Sequence, residues 1–420
     1  MQENNKVQCD EQAEVVIVGA GQAAAELAVA LRQEGCAGRI LVIGEEAQLP
    51  YQRPPLSKAY LSGKVGPEGL LVRPPAAYEQ AHIDFLLGVR VEAIDRQAHR
   101  LRLEDGRSVG YGMLALATGG RARRLEIVGS DLHGIHYLRS QADVEAIRPG
   151  LRVGRRLVIV GGGYVGLEVA AVAVRLGLQV TVLEAAPRVL ARVTAPQVSA
   201  FYEALHRDNG VEVLTGVEVE GFAAGECPVH VGEVLCKDGR RIEADLVIVG
   251  VGLIPNVELA AAAGLEVDNG ILINEHGRTS DADIVAVGDC TSHPCLFYGR
   301  RLRLESVPSA IDQARTAAAT LCGKSRKTES LPWFWSDQYD LKLQMAGLNQ
   351  GYERVVLRGS FERRSFAAFY MQGERVIAAD VVGRPADFMQ AKRLITERVV
   401  VDDTALADEG RSLKELVSVS

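Results

Sequence analysis

Residues 157–184 limit the fold of this chain more than any other stretch. Leu157-Val-Ile-Val160 is an unbroken apolar run that ends in Gly161-x-Gly163-x-x-Gly166. An Ala/Val-rich segment follows, and a second apolar run closes on Glu184, 18 residues after Gly166. The order strand, glycine turn, helix, strand, acid is that of a dinucleotide-binding βαβ unit. The first glycine permits the tight turn, and the second lets backbone N–H groups approach a pyrophosphate. The third lets helix and strand pack closely. Phosphate then sits at the positive end of the helix, and the acid receives ribose hydroxyls.

The same order occurs earlier in the chain. Val15-Val-Ile-Val18 leads into Gly19-x-Gly21-x-x-Ala24, with alanine a tolerated third residue. Residues 22–32 read as a helix whose small side chains suit close contact with a sheet, with Gly35 as its stop. Residues 39–44 form the second strand, and Glu45 takes the acid position. Two complete units about 140 residues apart are an internal repeat at domain scale. Two nucleotide sites in one chain imply redox chemistry between two cofactors.

Residues 49–58 contain three prolines and predict neither regular helix nor central strand. Residues 83–109 alternate in polarity and predict a small antiparallel set turning at Asp105-Gly106. A buried strand over 111–119 ends in Thr118-Gly119, a crossing point between domains. Residues 211–250 repeat the pattern, with a turn at Asp238-Gly239 and a buried strand over 244–250. A short strand within 279–289 closes on Gly288-Asp289, and a helix over 308–321 begins with a favourable proline. Residues 323–330 form a polar linker. Strand-like runs at 352–358, 365–371 and 375–382, with a Gln372-Gly373 turn, precede a helix over 385–398. That last part is a small α+β domain without a nucleotide signature.

At 420 residues the chain is too long for one core, so two or three domains are expected. Its 43 glycines exceed the usual share of roughly 7%, as several nucleotide turns require. A net charge of −7 provides no global basic field for nucleic acid. Residues 1–14 are polar and mixed in charge, without the order of a signal peptide, and no stretch is suited to spanning a bilayer. A cytoplasmic protein is expected. Cys9, Cys36, Cys227, Cys236, Cys290, Cys295 and Cys322 are odd in number and scattered, which favours reduced thiols. Cys290-x4-Cys295 imitates a redox-active pair. Residues 37–226, however, contain no cysteine, so no such pair follows the first nucleotide unit. Cys290, His293 and Cys295 lack a fourth ligand nearby, so no metal is expected.

The two glycine units, the Ala-Thr-Gly strand and the segment ending in Gly288-Asp289 occur in the order of the two-dinucleotide-domain flavoprotein reductases. Pro54-Pro-Leu-Ser-Lys58, Gly161-Gly-Gly-Tyr-Val-Gly-Leu-Glu168, Glu305-Ser-Val-Pro308 and Pro332-Trp-Phe-Trp-Ser-Asp-Gln338 narrow the likeness. Over nearly its whole length the chain resembles the NADH-dependent, FAD-containing ferredoxin reductases of bacterial oxygenase systems. The resemblance implies an α/β fold with two Rossmann-like domains in a glutathione-reductase-like arrangement, plus a C-terminal α+β domain. FAD would be bound by 1–118 and 245–324, NADH by 119–244, and residues 325–420 would form the last domain.

The resemblance also implies roles. From the residues alone, Lys58 reads as a solvated lysine and Asp289 as a helix-capping acid. By resemblance, Gly19, Gly21 and Ala24 face the FAD pyrophosphate, Glu45 its adenosine ribose, Asp289 its ribityl chain and Val307 the pyrimidine end. Lys58, paired with Glu168, sits beside the reactive flavin edge, and Trp335 covers the ring region. Gly161, Gly163, Gly166 and Glu184 serve NADH. Cofactor contacts are further implied for Arg53, Val91, Thr118, Gly119, Arg139, Tyr164, Val165 and Gly252. Hydride passes from NADH to FAD, and electrons leave singly to an acidic [2Fe–2S] ferredoxin feeding a cytochrome P450 or Rieske oxygenase. Arg73 and Arg315 fall where the family's docking cations lie, and Lys342 lies two residues from a third. Glu184 would repel a 2′-phosphate and so favour NADH, whereas Arg188, four residues on, leaves NADPH open. Two other readings are a redox-sensing flavoprotein resembling apoptosis-inducing factor and an NADH oxidase. The latter needs a cysteine that residues 53–58 do not offer.

Overall fold

The computed structural model describes residues 11–295 and 297–418. Cys9 and most of the polar leader lie outside the described residues. Internal contacts divide the chain into two compact units. The first comprises Met1–Gln52, Glu68–Arg121 and Ile254–Ser330. The second comprises Arg53–Pro67, Ala122–Leu253 and Leu331–Ser420.

The first unit is built on a seven-stranded sheet. Its main path runs Ile83–Leu87, Ile40–Gly44, Glu11–Val18, Ser108–Leu116, Arg100–Leu103, Val91–Asp95, with Ile284–Ala286 also pairing Ser108–Leu116. Val15, Ile17, Val16 and Val18 are all buried, because helices or strands cover both faces of a parallel sheet. Helix Gln22–Glu34 and helix Val307–Leu321 share one core. Ala24, Ala28, Ala314, Ala317 and Ala318 are fully buried there, and small side chains let the two helices lie close. Gly35 ends the first helix in the left-handed conformation at φ 99°, which glycine adopts without cost.

Ile83–Leu87 departs from the sequence expectation. It pairs in parallel with Ile40–Gly44 at the sheet edge and takes no part in the antiparallel set, which comprises Val91–Asp95, Arg100–Leu103 and the start of Ser108–Leu116. Cys290 precedes strand Thr291–Cys295, which pairs antiparallel with Arg300–Leu302.

The second unit contains a five-stranded, wholly parallel sheet in the order Glu212–Thr215, Gln179–Glu184, Arg156–Val160, Leu246–Val249, Ile135–Tyr137. Leu246–Val249 therefore belongs with Arg156–Val160. A domain boundary at 244/245 cuts through this sheet, and the observed one falls after Leu253. The C-terminal part is an antiparallel sheet in the order Trp333–Gln338, Leu341–Gly347, Arg375–Val382, Ser365–Gln372, Arg354–Ser360. Helix Pro385–Thr396 buries Phe388, Ala391, Leu394 and Ile395. The contacts do not separate residues 331–420 as a third unit.

Candidate functional site

In the first unit the glycine turn is dictated by sterics. Gly19 has φ 107°, and a Cβ there would stand 2.2 Å from the Ala117 carbonyl oxygen, so a side chain is excluded. Gly21 heads helix Gln22–Glu34 without a capping side chain, and the first turn holds no acid. Nothing lies within 4 Å of where its Cβ would be. The helix therefore offers unpaired N–H groups and undiminished positive charge beside open space, which suits a pyrophosphate. Ala24 is fully buried and fills the place of the third glycine.

Glu45 follows strand Ile40–Gly44 and is ion-paired with Arg90, next to Val91 at the head of its strand. Sequence reading missed Arg90. Thr118 donates through Oγ1 to the Asn256 carbonyl at 2.7 Å, and the Asn256 side chain donates back to the Thr118 carbonyl at 2.9 Å. This reciprocal clasp fixes Thr118-Gly119, and Asn256, 138 residues away, carried no local signal. Asp289 is half-buried and follows Gly288, which turns at φ 85°. Val307 opens its helix, with Ser306 accepting from the Ser309 N–H and no acid in the first turn.

The second unit repeats the cradle with better definition. Gly161 has φ 113°, and its Cβ would meet the Gly250 carbonyl oxygen at 2.4 Å. A Cβ on Gly166 would meet Gly161 oxygen at 2.1 Å. Gly163 heads helix Tyr164–Arg175 with no cap, no first-turn acid and open space around it. Val165 is exposed, whereas Tyr164 packs on Phe334 with ring centroids 5.0 Å apart. Burial pushes the Tyr164 hydroxyl pKa well up. Gly252, at φ 113°, also borders open space.

Glu184 is held by two backbone donors, Gly162 N–H on Oε2 and Ala186 N–H on Oε1, each at 2.7 Å. Arg188 turns into its own loop. It donates to the Thr194 carbonyl at 2.9 Å, the Ala191 carbonyl at 2.8 Å and Ser199 Oγ at 2.5 Å.

Lys58 and Glu168 meet, although 110 residues separate them. Lys58 ends the 3₁₀ turn Pro54–Ser57 and donates through Nζ to Glu168 Oε2 at 2.7 Å and to the Pro54 carbonyl at 3.1 Å. Glu168 is 4% exposed, on helix Tyr164–Arg175. Ser57 Oγ donates to the same Oε2 at 2.5 Å, and Ser336 Oγ donates to Oε1 at 2.6 Å. A buried carboxylate with three donors is fully committed in direction. The segment bearing Lys58 is clamped to its surroundings. Arg53 donates to the Arg139 carbonyl at 2.7 Å, Tyr60 donates to Glu145, and the Arg148 guanidinium lies 4.2 Å over the Tyr60 ring. Arg139 in turn leads into the capping box that Ser140 and Asp143 form. Ser57, Ser336 and Tyr60 were absent from the expected site.

Trp335 shares a strand face with Trp333, ring centroids 5.7 Å apart, as alternation requires. Of the expected docking cations, Arg73 pairs with Glu26 at 3.1 Å and Arg315 is exposed on helix Val307–Leu321, both in the first unit. Lys342, in the second, lies 3.8 Å from Asp337. Cys290 is buried and donates to the Val287 carbonyl at 3.3 Å, and burial raises its thiol pKa. Burial also lowers the His293 pKa to about 4. Among the described residues no group of three or more His, Cys, Asp or Glu could hold a metal ion.

Residues 13–314 match the family described as pyridine nucleotide-disulphide oxidoreductase, and residues 333–417 match the reductase C-terminal family. The chain belongs to the pyridine nucleotide-disulphide oxidoreductases. It is an oxidoreductase that uses FAD and a nicotinamide dinucleotide. The reductase is 51% identical over 409 residues to putidaredoxin reductase of Pseudomonas putida, covering 97% of each chain. It is 44% identical to a ferredoxin–NAD(P)+ reductase of a Sphingomonas species, covering 97% of this chain and 98% of the other. The structure of the covalent putidaredoxin reductase–putidaredoxin complex matches the reductase with a TM-score of 0.93 at 50% identity. That match covers 97% of this chain and 98% of the solved one. Among the described residues no helix of the reductase is long and apolar enough to cross a membrane.

Proposed function

We propose that this reductase takes hydride from NADH and passes electrons one at a time to an acidic [2Fe–2S] ferredoxin serving a cytochrome P450 or a Rieske oxygenase. The carrying observation is that one chain holds two glycine cradles. Each opens a helix with an uncapped, acid-free N-terminus. Bound FAD supplies the conversion of a two-electron donor into one-electron deliveries.

The chain supplies binding, orientation and fixed charge. Gly19, Gly21 and Ala24 receive the FAD pyrophosphate, and the first turn of the Val307 helix offers positive charge to an electron-rich ring. Gly161, Gly163 and Gly166 receive the NADH pyrophosphate, and Glu184 receives its adenosine ribose. Arg188 is committed to three acceptors rather than to a 2′-phosphate, and NADH is the preferred donor. Lys58 holds a positive charge fixed by Glu168, and Trp335 contributes an aromatic face. Arg73, Arg315 and Lys342 are proposed docking cations, and the reaction belongs in the cytoplasm. Functionally the chain reads as three parts: FAD-binding segments to residue 121 and from 254 to 330, an NADH-binding part over 122–253, and the C-terminal part.

Anaerobic stopped-flow mixing of the yellow holoenzyme with NADH tests the reading. The 450 nm band should bleach in milliseconds to seconds and recover on addition of an oxidised [2Fe–2S] ferredoxin. A preparation that NADH leaves coloured, or whose reduced form no ferredoxin reoxidises, refutes it.

A further inference from the structure

Behind the Lys58–Glu168 pair lies a line of buried polar side chains that the reaction as derived does not use. Strand alternation turns Ser336 and Gln338 to one face of Trp333–Gln338, away from Trp333 and Trp335. Gln338 Nε2 lies 3.2 Å from Ser336 Oγ, and Gln338 Oε1 lies 2.9 Å from His206 Nε2. His206 Nδ1 lies 2.9 Å from the Tyr339 hydroxyl. Ser336, Gln338 and His206 are each 0% exposed. Three such groups are costly to bury unless each is satisfied.

This line can carry hydrogen bonds in two directions, and only one of them serves Glu168. If His206 carried its proton on Nδ1, the Gln338 amide would turn, present its oxygen to Ser336, and draw the single Ser336 proton away from Glu168. A hydroxyl lone pair would then face the carboxylate. With the proton on Nε2, every donor points the same way. Tyr339 donates to His206 Nδ1, His206 to Gln338 Oε1, Gln338 to Ser336 Oγ, and Ser336 to Glu168 Oε1 at 2.6 Å. Aligned hydrogen bonds polarise one another, so the far end strengthens the near one.

We propose that His206 is a positioning residue whose Nε2-protonated tautomer, relayed through Gln338 and Ser336, aims the Glu168 carboxylate at Lys58. Burial lowers the His206 pKa to about 4, so the ring is neutral at physiological pH and has a single tautomer to assign. The relay rests on the proposed function only for its consequence, a correctly held Lys58. Its geometry stands apart from that reading.

The test compares His206→Leu, His206→Gln, Ser336→Ala and the double variant His206→Leu/Ser336→Ala with the parent holoenzyme. Glutamine at 206 retains a donor for Gln338 Oε1 and leucine does not. Two readouts are taken on each protein: trace acetylation of Lys58 measured by mass spectrometry, and the limiting rate of flavin bleaching by NADH. Losing one hydrogen bond to a charged group corresponds to about a tenfold effect. His206→Leu and Ser336→Ala should each raise Lys58 acetylation and slow bleaching by about that factor. The double variant should do no more than either single one, and His206→Gln should stay near the parent. The ¹⁵N spectrum of the parent at pH 7 should show His206 protonated on Nε2 alone. Unchanged Lys58 acetylation in His206→Leu, additive effects in the double variant, or an Nδ1-protonated His206 each overturn the relay. A parent enzyme that NADH fails to bleach sinks the proposed function instead, and the acetylation and ¹⁵N results still decide the relay.

Discussion

Glu184 ends its strand with both carboxylate oxygens held by backbone N–H groups at 2.7 Å, which fixes its direction before any nucleotide arrives. Each oxygen keeps a lone pair for a neutral ribose hydroxyl, and the negative charge repels a 2′-phosphate. Glu184→Ala should therefore raise the KM for NADH about tenfold, the loss expected for hydrogen bonds to a charged acceptor, with kcat nearly unchanged. The NADPH/NADH ratio of kcat/KM should rise. Steady-state rates with both nucleotides check this, and an unchanged ratio removes Glu184 from the specificity argument. Residues of this kind were legible because the βαβ unit is local. Gly166 is forced by a contact inside the unit itself, with the Gly161 carbonyl oxygen, whereas the side chain barred at Gly161 would meet Gly250, outside it. Lys58 and Glu168 are 110 residues apart, and Ser336 is 168 residues from Glu168, so no spacing rule could join them. Family resemblance supplied the first pair and passed over the serine.

At the scale of elements, the C-terminal sheet carries an ionisable group whose surroundings work against its charge. Asp380 lies on Arg375–Val382, 3% exposed, and burial raises its pKa from 3.8 to about 7. Tyr370 donates to it from the neighbouring strand, and the Ala195 N–H donates to Tyr370 Oη at 2.7 Å. A folded-state pKa above the unfolded value contributes stability in acid that is lost as pH rises from about 4 through about 7. Asp380→Asn keeps an acceptor for Tyr370 and removes the charge. Its urea midpoint should exceed the parent's at pH 8, by up to roughly 4 kcal/mol in unfolding free energy, and the gap should close toward pH 4. His206 acts in the opposite sense, because its lowered pKa loses stability as pH falls from 6.5 toward about 4. That loss is common to both proteins and cancels in the difference. A gap that does not change with pH would show that Asp380 is not the titrating group. Two elements of the fold escaped sequence reading for identifiable reasons. Leu341–Gly347 follows a turn through Tyr339 at φ 60° and Asp340, with no glycine or asparagine to announce a hairpin. Ile83–Leu87 holds a single polar residue, Asp84, among four apolar ones, and so short a run does not distinguish parallel from antiparallel pairing.

For the whole molecule, charge sets the terms on which an acidic partner can approach. With a net charge of −7, the reductase repels a ferredoxin at long range, and attraction must come from a local surface acting within about one Debye length, roughly 8–10 Å at moderate salt. The proposed docking cations differ in what they can offer. Arg73 already has a carboxylate partner in Glu26 at 3.1 Å, and Lys342 lies near Asp337. Arg315 is exposed on helix Val307–Leu321 and should contribute most. Arg315→Glu should then raise the apparent KM for ferredoxin by about tenfold at low salt, and the difference from the parent should shrink as ionic strength rises. Ferricyanide takes electrons without needing a docking surface, so its reduction rate separates a recognition defect from damage to the cofactors. A rise in KM that survives 1 M salt would point to lost contact rather than lost charge. Equal losses with ferredoxin and ferricyanide would move Arg315 out of recognition altogether.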